Sequence, residues 1–115
     1  MNELLKNKVA IVTGGGRGIG RGHSLHLAKS GASVLVNDID SEEAENVVNE
    51  ILDEGGVAKT SSQDISSREG CSLLIDECVR EFGNIDILVN NAGILRDKSL
   101  LKMTDEDFDS VWNIH

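Results

Sequence analysis

The chain has 115 residues, enough for one small domain or for part of a larger one. Hydrophobic residues make up 39% and charged residues 27%, which is a globular balance and excludes wholesale disorder. Twenty acidic residues against eleven basic ones leave a formal charge of -9. Such a surface repels phosphate backbones and anionic lipid, so neither a nucleic acid nor a membrane is expected as a partner.

The amino-terminal stretch and the two cysteines bear on location. MNELLKNKVAIV carries charges throughout, so it predicts neither a signal peptide nor a membrane span. Cys71 and Cys78 lie in an apolar helical pattern at a rise of about 10.5 Å, too far apart for a disulfide. We expect buried thiols in a reducing compartment, which favours a cytoplasmic protein. A metal or redox pair is the alternative, but CxxC spacing and further ligands are missing.

Short apolar runs typical of strands alternate along the chain with stretches whose apolar residues have the spacing of a helix. The short runs predict four strands, over residues 8–13, 33–38, 57–61 and 85–91, of which the first is typical of a strand buried on both faces and the third is weaker. The first helix is expected to end at Gly31, and the second to begin at Asp40 or Ser41. Ser66 has capping-box spacing to Glu69 and predicts the start of a third helix. A fourth helix is predicted from Thr104 to the last residue.

This β-α-β-α-β-α-β-α order predicts an α/β fold, a Rossmann-like doubly wound parallel sheet of which only the N-terminal half is present. The last helix has no stop signal, and the fourth strand would leave an apolar edge. We therefore expect residues 1–115 to be the N-terminal part of a single NAD(P)-binding Rossmann domain, truncated within a helix.

A glycine loop, TGGGRGIG (13–20), follows the first strand. In a parallel sheet this position presents a helix N-terminus to an anion, and glycines let the backbone approach a pyrophosphate. Neither P-loop spacing nor strict G-x-G-x-x-G spacing is met, and a purely structural turn is the alternative. Asp38 ends the second strand, where a carboxylate can accept both ribose hydroxyls of an adenosine. The two features together favour dinucleotide binding.

Four motifs in order resemble the short-chain dehydrogenase/reductase family: TGGGRGIG, the acidic end of the second strand, QDIS (63–66) and NNAG (90–93). Within the family, the sequence is most similar to the 3-hydroxyacyl-CoA dehydrogenase part of multifunctional enzyme type 2, and next to 3-oxoacyl-carrier-protein reductases. The resemblance implies an oxidoreductase that transfers hydride between NAD(H) and a secondary alcohol or ketone, with a 3-hydroxyacyl or 3-oxoacyl thioester as candidate substrate. It also implies a homo-oligomer, a dimer or a tetramer.

The resemblance assigns cofactor contacts to twelve residues. The glycine turn that holds the pyrophosphate corresponds to Gly14, Gly16, Arg17, Gly18, Ile19 and Gly20. The acid that selects NAD corresponds to Asp38, and the pair that lines the adenine corresponds to Asp64 and Ile65. The strand end beside the second ribose corresponds to Asn91, Ala92 and Gly93. Arg17 can pair with the 2′-phosphate of NADP, but the Asp38 carboxylate would repel that phosphate. NAD is therefore predicted, with NADP as the less favoured cofactor.

The family's catalytic tyrosine is missing, since the sequence contains no tyrosine at all. The Ser, Tyr and Lys of family chemistry would lie beyond this chain, which alone should not turn over. Measured around the axis of the predicted last helix, His115 lies about 20° from Phe108, on the apolar face, whereas Asn113 lies about 140° from Phe108, on the polar side. The resemblance also puts His115 at the family's proton-relay asparagine; an interior histidine bonded to backbone remains the alternative.

Other readings stay open. His23 and His26 lie one helical turn apart, but with no third ligand no metal site is predicted. A non-catalytic nucleotide-binding or interaction module and an NADPH-dependent 3-oxoacyl-carrier-protein reductase are the main alternatives. A glycine-loop methyltransferase explains the loop and NNAG poorly.

Overall fold

The computed structural model describes residues 4–91 and the backbone of residues 113–114. The strands of these ranges are β1 Val9–Thr13, β2 Ser33–Asn37, β3 Val57–Ser61, β4 Ile87–Asn90 and β5 Asn113–Ile114. The helices are α1 Gly18–Lys29, α2 Ser41–Asp53 and α3 Arg68–Phe82. The predicted alternation of strands and helices is confirmed as far as β4.

The strands form one parallel sheet in the order β3-β2-β1-β4-β5. Because β2 and β4 lie on opposite sides of β1, the direction of winding reverses there. In such sheets, ligands bind outside the carboxyl ends of the strands at the reversal. Thr13, the last residue of β1, is in register with Asn37 of β2 and Asn90 of β4. The predicted α/β doubly wound fold is confirmed.

A hydrophobic core covers each face of the sheet. On one face, α3 packs its predicted stripe of Cys71, Leu74, Ile75 and Cys78 against Ile11 and Leu35. On the other, side chains from α1 and α2 pack against Val12, Val34 and Val36. The sequence predicts one apolar face on α2, formed by Ala44, Val47, Val48, Ile51 and Leu52; the first four are buried, whereas Leu52, at the edge of that face, is 49% exposed.

Several predicted boundaries differ from the structure by one or two residues. The cap of α3 is Ser67, whose Oγ accepts a hydrogen bond from the Gly70 N–H at 3.0 Å. Ser66 is not the cap, because its N–H and Oγ both donate to the Asp64 carboxylate. The fourth strand begins at Ile87 instead of residue 85. Asp40, one of the two caps predicted for α2, accepts from the Glu43 N–H.

The prediction of a helix through residues 113–114 was wrong. These residues form β5, with Asn113 opposite Ile87 and Ile114 opposite Leu88. An open edge of β4 would present unpaired N–H and C=O groups, and a parallel partner satisfies them at these positions. The rest of the predicted helix, from Thr104 to residue 112, lies outside the described residues.

Candidate functional site

The glycine loop joins β1 to α1 and is fixed from two sides. The Gly15 N–H donates to the Asn37 carbonyl oxygen at 2.9 Å, which ties the loop to the end of β2. The buried Ser24 hydroxyl lies 3.0 Å from the carbonyl oxygen of Gly20 and 3.4 Å from that of Gly15. The loop is therefore held in place by the fold itself, before any ligand binds.

Gly20, in the first turn of α1, packs tightly against the start of the glycine loop. A Cβ atom at this position would lie 1.9 Å from the Gly14 carbonyl oxygen, a distance that no side chain tolerates. Gly14 itself has a φ of 61°, in the left-handed region that favours glycine. The spacing of these two glycines therefore follows from backbone packing at the start of the helix.

The N-terminus of α1 opens toward this loop. Arg17 is the N-cap residue, and its side chain makes no capping hydrogen bond. The first turn contains no acidic residue. Because helix geometry leaves the first N–H groups without intrahelical acceptors, Gly18, Ile19 and Gly20 present donors and a positive dipole end. This arrangement suits a phosphate group.

Asp38 directly follows β2 and is 7% exposed. Its Oδ2 accepts from the Gly16 N–H at 3.0 Å, and its Oδ1 accepts from the Asp40 N–H at 3.0 Å. Each carboxylate oxygen still has a second lone pair to offer. A Cβ atom on Gly16 would lie 2.8 Å from Oδ2, so the glycine permits this contact. The carboxylate is thus oriented by the backbone, with capacity for two further donors.

Arg17 lies beside Asp40 at the rim of the site. Its Nη2 is 3.3 Å from the Asp40 Oδ2, and the two side chains are 64% and 42% exposed. The guanidinium that was considered as a partner for a 2′-phosphate is therefore paired with a carboxylate.

The QDIS segment after β3 forms another wall. The Asp64 Oδ1 accepts from the Ser66 hydroxyl at 2.6 Å and from the Ser66 N–H at 2.9 Å, and these bonds lower the pKa of Asp64. Ile65 is buried in the core under α3. A Cβ atom on Gly70 would lie 1.8 Å from the Asp64 carbonyl oxygen, so this glycine permits α3 to approach the segment.

The end of β4 is joined to β1 through Thr13. The Thr13 hydroxyl donates to the Asn90 Oδ1 at 2.7 Å and accepts from the Asn91 N–H at 3.1 Å. The Asn91 Nδ2 is buried and has no hydrogen-bond partner among the described residues. An acceptor for this amide donor has to come from a ligand, from water or from the rest of the chain.

These elements surround a cavity of about 580 Å³ at the carboxyl ends of the strands. Eight predicted residues of the turn, the strand ends and QDIS line it: Gly14, Arg17, Ile19, Gly20, Asp38, Asp64, Ile65 and Asn91. Gly16 and Gly18 belong to the same loop but do not line the cavity. Ala92, Gly93 and His115 lie outside the described residues.

Four further residues line the cavity without a cofactor contact predicted from the sequence: Asn37, Ile39, Gln63 and Ser66. The strand-end rule alone would have suggested Asn37 and Ile39, because they flank Asp38. Ile39 and Ile19 are 70% and 76% exposed, so the cavity has apolar surface beside its polar groups. Apolar walls, an open helix N-terminus and an oriented carboxylate fit a dinucleotide.

The remaining candidates of the sequence stand apart from this cavity. Cys71 and Cys78 are buried and form no disulfide with each other, as expected, and burial raises the pKa of Cys78 to about 12. His23 and His26 are both on the exposed side of α1. Across residues 4–91, no cluster of three or more metal-ligating side chains is found. Nor does any helix in that range have the length and apolarity needed to cross a membrane.

The fold and this site define a nucleotide-binding sheet of the Rossmann type. Comparison with known proteins gives the family: the sequence model of the short chain dehydrogenase family matches residues 8–115. The chain belongs to the short-chain dehydrogenase family.

Two curated relatives are much longer than this chain. The peroxisomal hydratase-dehydrogenase-epimerase of Saccharomyces cerevisiae is 39% identical over 99% of this chain, which spans 13% of that protein. A hydroxyacyl-CoA dehydrogenase of Mycobacterium tuberculosis is 45% identical over 96% of this chain, which spans 36% of that protein. The predicted resemblance to the multifunctional enzymes is confirmed by the yeast relative.

Solved structures agree with the fold. A 7α-hydroxysteroid dehydrogenase complexed with NADH has a TM-score of 0.78 and 45% identity, with 81% of this chain and 36% of that chain covered. A metagenomic short-chain oxidoreductase in complex with NADP has a TM-score of 0.75 and 36% identity, covering 78% and 41%. A nicotinamide cofactor is therefore supported. The first of these structures contains NADH and the second contains NADP, so they do not decide between the two cofactors.

Proposed function

We propose that this chain is the cofactor-binding part of an NAD-dependent oxidoreductase that acts on a secondary alcohol or ketone. The observation that carries the proposal is the buried Asp38 carboxylate, held by two backbone N–H groups beside the open N-terminus of α1. Binding of NADH to the full-length protein, measured by calorimetry, tests it; absence of binding would overturn it.

The contacts proposed for the cofactor follow the cavity. Asp38 would accept the two hydroxyls of the adenosine ribose, and the first turn of α1 would hold the pyrophosphate. Asp64 and Ile65 would line the adenine, while Asn91, Ala92 and Gly93 would lie beside the second ribose. The bound cofactor supplies the hydride chemistry, and the chain's own residues bind and orient it. The Asn91 amide, whose Nδ2 has no hydrogen-bond partner within residues 4–91, supports this assignment.

NAD is proposed in preference to NADP. A 2′-phosphate on a ribose held by Asp38 would place its negative charge beside a fixed carboxylate. Arg17, the nearby cation, is already paired with Asp40. Relative dissociation constants for NADH and NADPH decide this point.

A 3-hydroxyacyl or 3-oxoacyl thioester is the proposed substrate. The support is similarity to proteins named hydroxyacyl-CoA dehydrogenase and hydratase-dehydrogenase-epimerase. The second candidate, an NADPH-dependent 3-oxoacyl-carrier-protein reductase, is favoured only by the NNAGI-x-RD stretch. Oxidation of 3-hydroxyacyl-CoA with NAD by the full-length protein, against reduction of 3-oxoacyl-carrier protein with NADPH, separates the two. Failure in both assays with NADH binding retained would favour a non-catalytic module.

His115 is proposed to hold the proton-relay water, because an imidazole can donate or accept at that position. In the full-length protein, His115→Ala should lower kcat and alter its pH profile without changing the affinity for NADH. An unchanged kcat and profile would remove this role.

The setting of the chain is also proposed. We infer an N-terminal part of a single Rossmann domain within a longer protein, since the relatives extend well beyond it. A homo-oligomer, a dimer or a tetramer, is proposed from the family resemblance alone. Two buried cysteines that form no disulfide with each other support a reducing compartment, and the cytoplasm is proposed, although the yeast relative is named peroxisomal. Light scattering of the full-length protein and cell fractionation test assembly and location.

A further inference from the structure

Asp40 connects three parts of the candidate cofactor site. Its Oδ1 accepts from the Glu43 N–H at 3.3 Å and so caps α2. Its N–H donates to the Asp38 carboxylate, and its Oδ2 lies 3.3 Å from the Arg17 guanidinium. The Asp40 carboxylate is thus held in a defined place, next to both groups that would meet a phosphorylated ribose.

Arg17 and Asp40, the two charged side chains beside Asp38, would act in opposite directions on a bound 2′-phosphate. Arg17 is the cation of the glycine loop and lines the cavity, where it can attract a phosphate. A phosphate monoester carries a charge of about -1.5 to -2 near neutral pH. To bind it, Arg17 would have to leave Asp40, and the uncovered Asp40 carboxylate would then repel the same phosphate.

We propose that Asp40 is a second specificity-determining residue, which disfavours NADP by holding Arg17 and by adding its own negative charge beside Asp38. This inference rests on the proposed binding of a nicotinamide dinucleotide. It assigns to Asp40 a role in cofactor choice beyond its role as a helix cap.

The two roles of Asp40 can be separated by one substitution. Asp40→Asn keeps an oxygen that accepts the Glu43 N–H, and asparagine is as good a cap as aspartate. The variant removes only the charge that faces Arg17. Glu50→Gln is the matched control, because it removes the same charge from another exposed ion pair, Arg21–Glu50, whose residues do not line the cavity.

The test is calorimetric titration of the full-length protein with NADH and NADPH. Asp40→Asn should bind NADPH about three- to tenfold more tightly, with NADH affinity and thermal midpoint unchanged. Adding Arg17→Gln should reduce the gain to the part that comes from relief of the repulsion by Asp40, and Glu50→Gln should produce no gain. An unchanged NADPH affinity in Asp40→Asn, or a gain that is just as large when Arg17→Gln is added, overturns the role of Asp40 while NADH binding stands. Failure of the wild type to bind either dinucleotide overturns the proposed function as well.

Discussion

The Gly16 N–H donates to the Asp38 carboxylate at 3.0 Å, so the glycine loop and the end of β2 are joined within the protein. These are the two parts that the sequence assigned to the pyrophosphate and the ribose of one ligand. Since the contact already exists, binding need not order the loop and the carboxylate separately, which reduces the entropic cost of association.

Replacing Asp38 by asparagine should weaken NADH binding about tenfold or more. The amide offers one acceptor oxygen in place of two, and its NH₂ group would face a backbone N–H of Gly16 or Asp40. Hydrogen bonds to charged groups contribute about 1.5–3 kcal/mol. Calorimetry with NADH measures the effect, and the preference for NADH over NADPH should shrink.

Asp53→Asn is the control for that charge change, because Asp53 is an exposed residue at the end of α2. It should bind NADH like the wild type. Equal affinities in the Asp38 and Asp53 variants would show that Asp38 does not hold the ribose.

Gly20→Ala should both destabilise the protein and impair cofactor binding. The added methyl would lie 1.9 Å from the Gly14 carbonyl oxygen, which forces the loop away from α1. Overpacking of this kind costs about 1–3 kcal/mol. Chemical denaturation gives the free energy of unfolding, and NADH titration gives the affinity.

Gly22→Ala, two residues further along α1, is the matched control. A Cβ atom there meets nothing within 4 Å, so alanine should stabilise the helix by about 0.5–1 kcal/mol. If both substitutions changed stability in the same direction, the close approach at Gly20 would not be the cause.

Asn91→Ala should lower NADH affinity about five- to tenfold while leaving the free protein's stability nearly unchanged. Its buried Nδ2 has no partner among the described residues, so its removal leaves no group unsatisfied. Asn90→Ala should instead lower the stability of the free protein and leave NADH affinity nearly unchanged, because the Asn90 side chain accepts a hydrogen bond from the Thr13 hydroxyl. Thermal denaturation beside calorimetry resolves the contrast; a large stability loss in Asn91→Ala would contradict it.

The Cys78 thiol should resist alkylation in the native protein at pH 8. Burial, followed by the nearby Asp86 and Glu77 charges, raises its pKa to about 12. The pKa of the Cys78 thiol is higher in the folded than in the unfolded protein, so the folded state favours the protonated thiol. The contribution of this thiol to the free energy of unfolding is therefore fully present below about pH 9, and it is lost as the pH rises toward 12. Iodoacetamide labelling with peptide mass mapping should modify Cys78 only after unfolding; equal labelling of native and unfolded protein would refute this.

The sequence predicted the fold where periodicity was long and consistent. The strand at Val9–Thr13, which is buried at every position, and the buried stripe of α3 match to within one residue, because apolar runs and helical faces directly record burial. Caps were less predictable: Ser66 has the right spacing, but the Asp64 carboxylate binds it and Ser67 takes its place. At Asn113 the helical pattern gave way to pairing with β4, a long-range contact that local periodicity does not report.

The candidate site was predicted through backbone requirements more than through side-chain contacts. Gly20 and Asp38 stand where the turn and the strand end place them. The pairing of Arg17 with Asp40 was not foreseen, because it joins a loop to a turn twenty-three residues away. Nor does spacing indicate that Gly70 makes room for the Asp64 carbonyl.

The most direct test of the account is calorimetric titration of the wild-type, full-length protein with NADH and NADPH under identical conditions. We expect saturable binding of NADH with a dissociation constant at least about tenfold lower than that of NADPH, because a phosphate would meet the Asp38 carboxylate. Tighter binding of NADPH, or no binding of either, would contradict it.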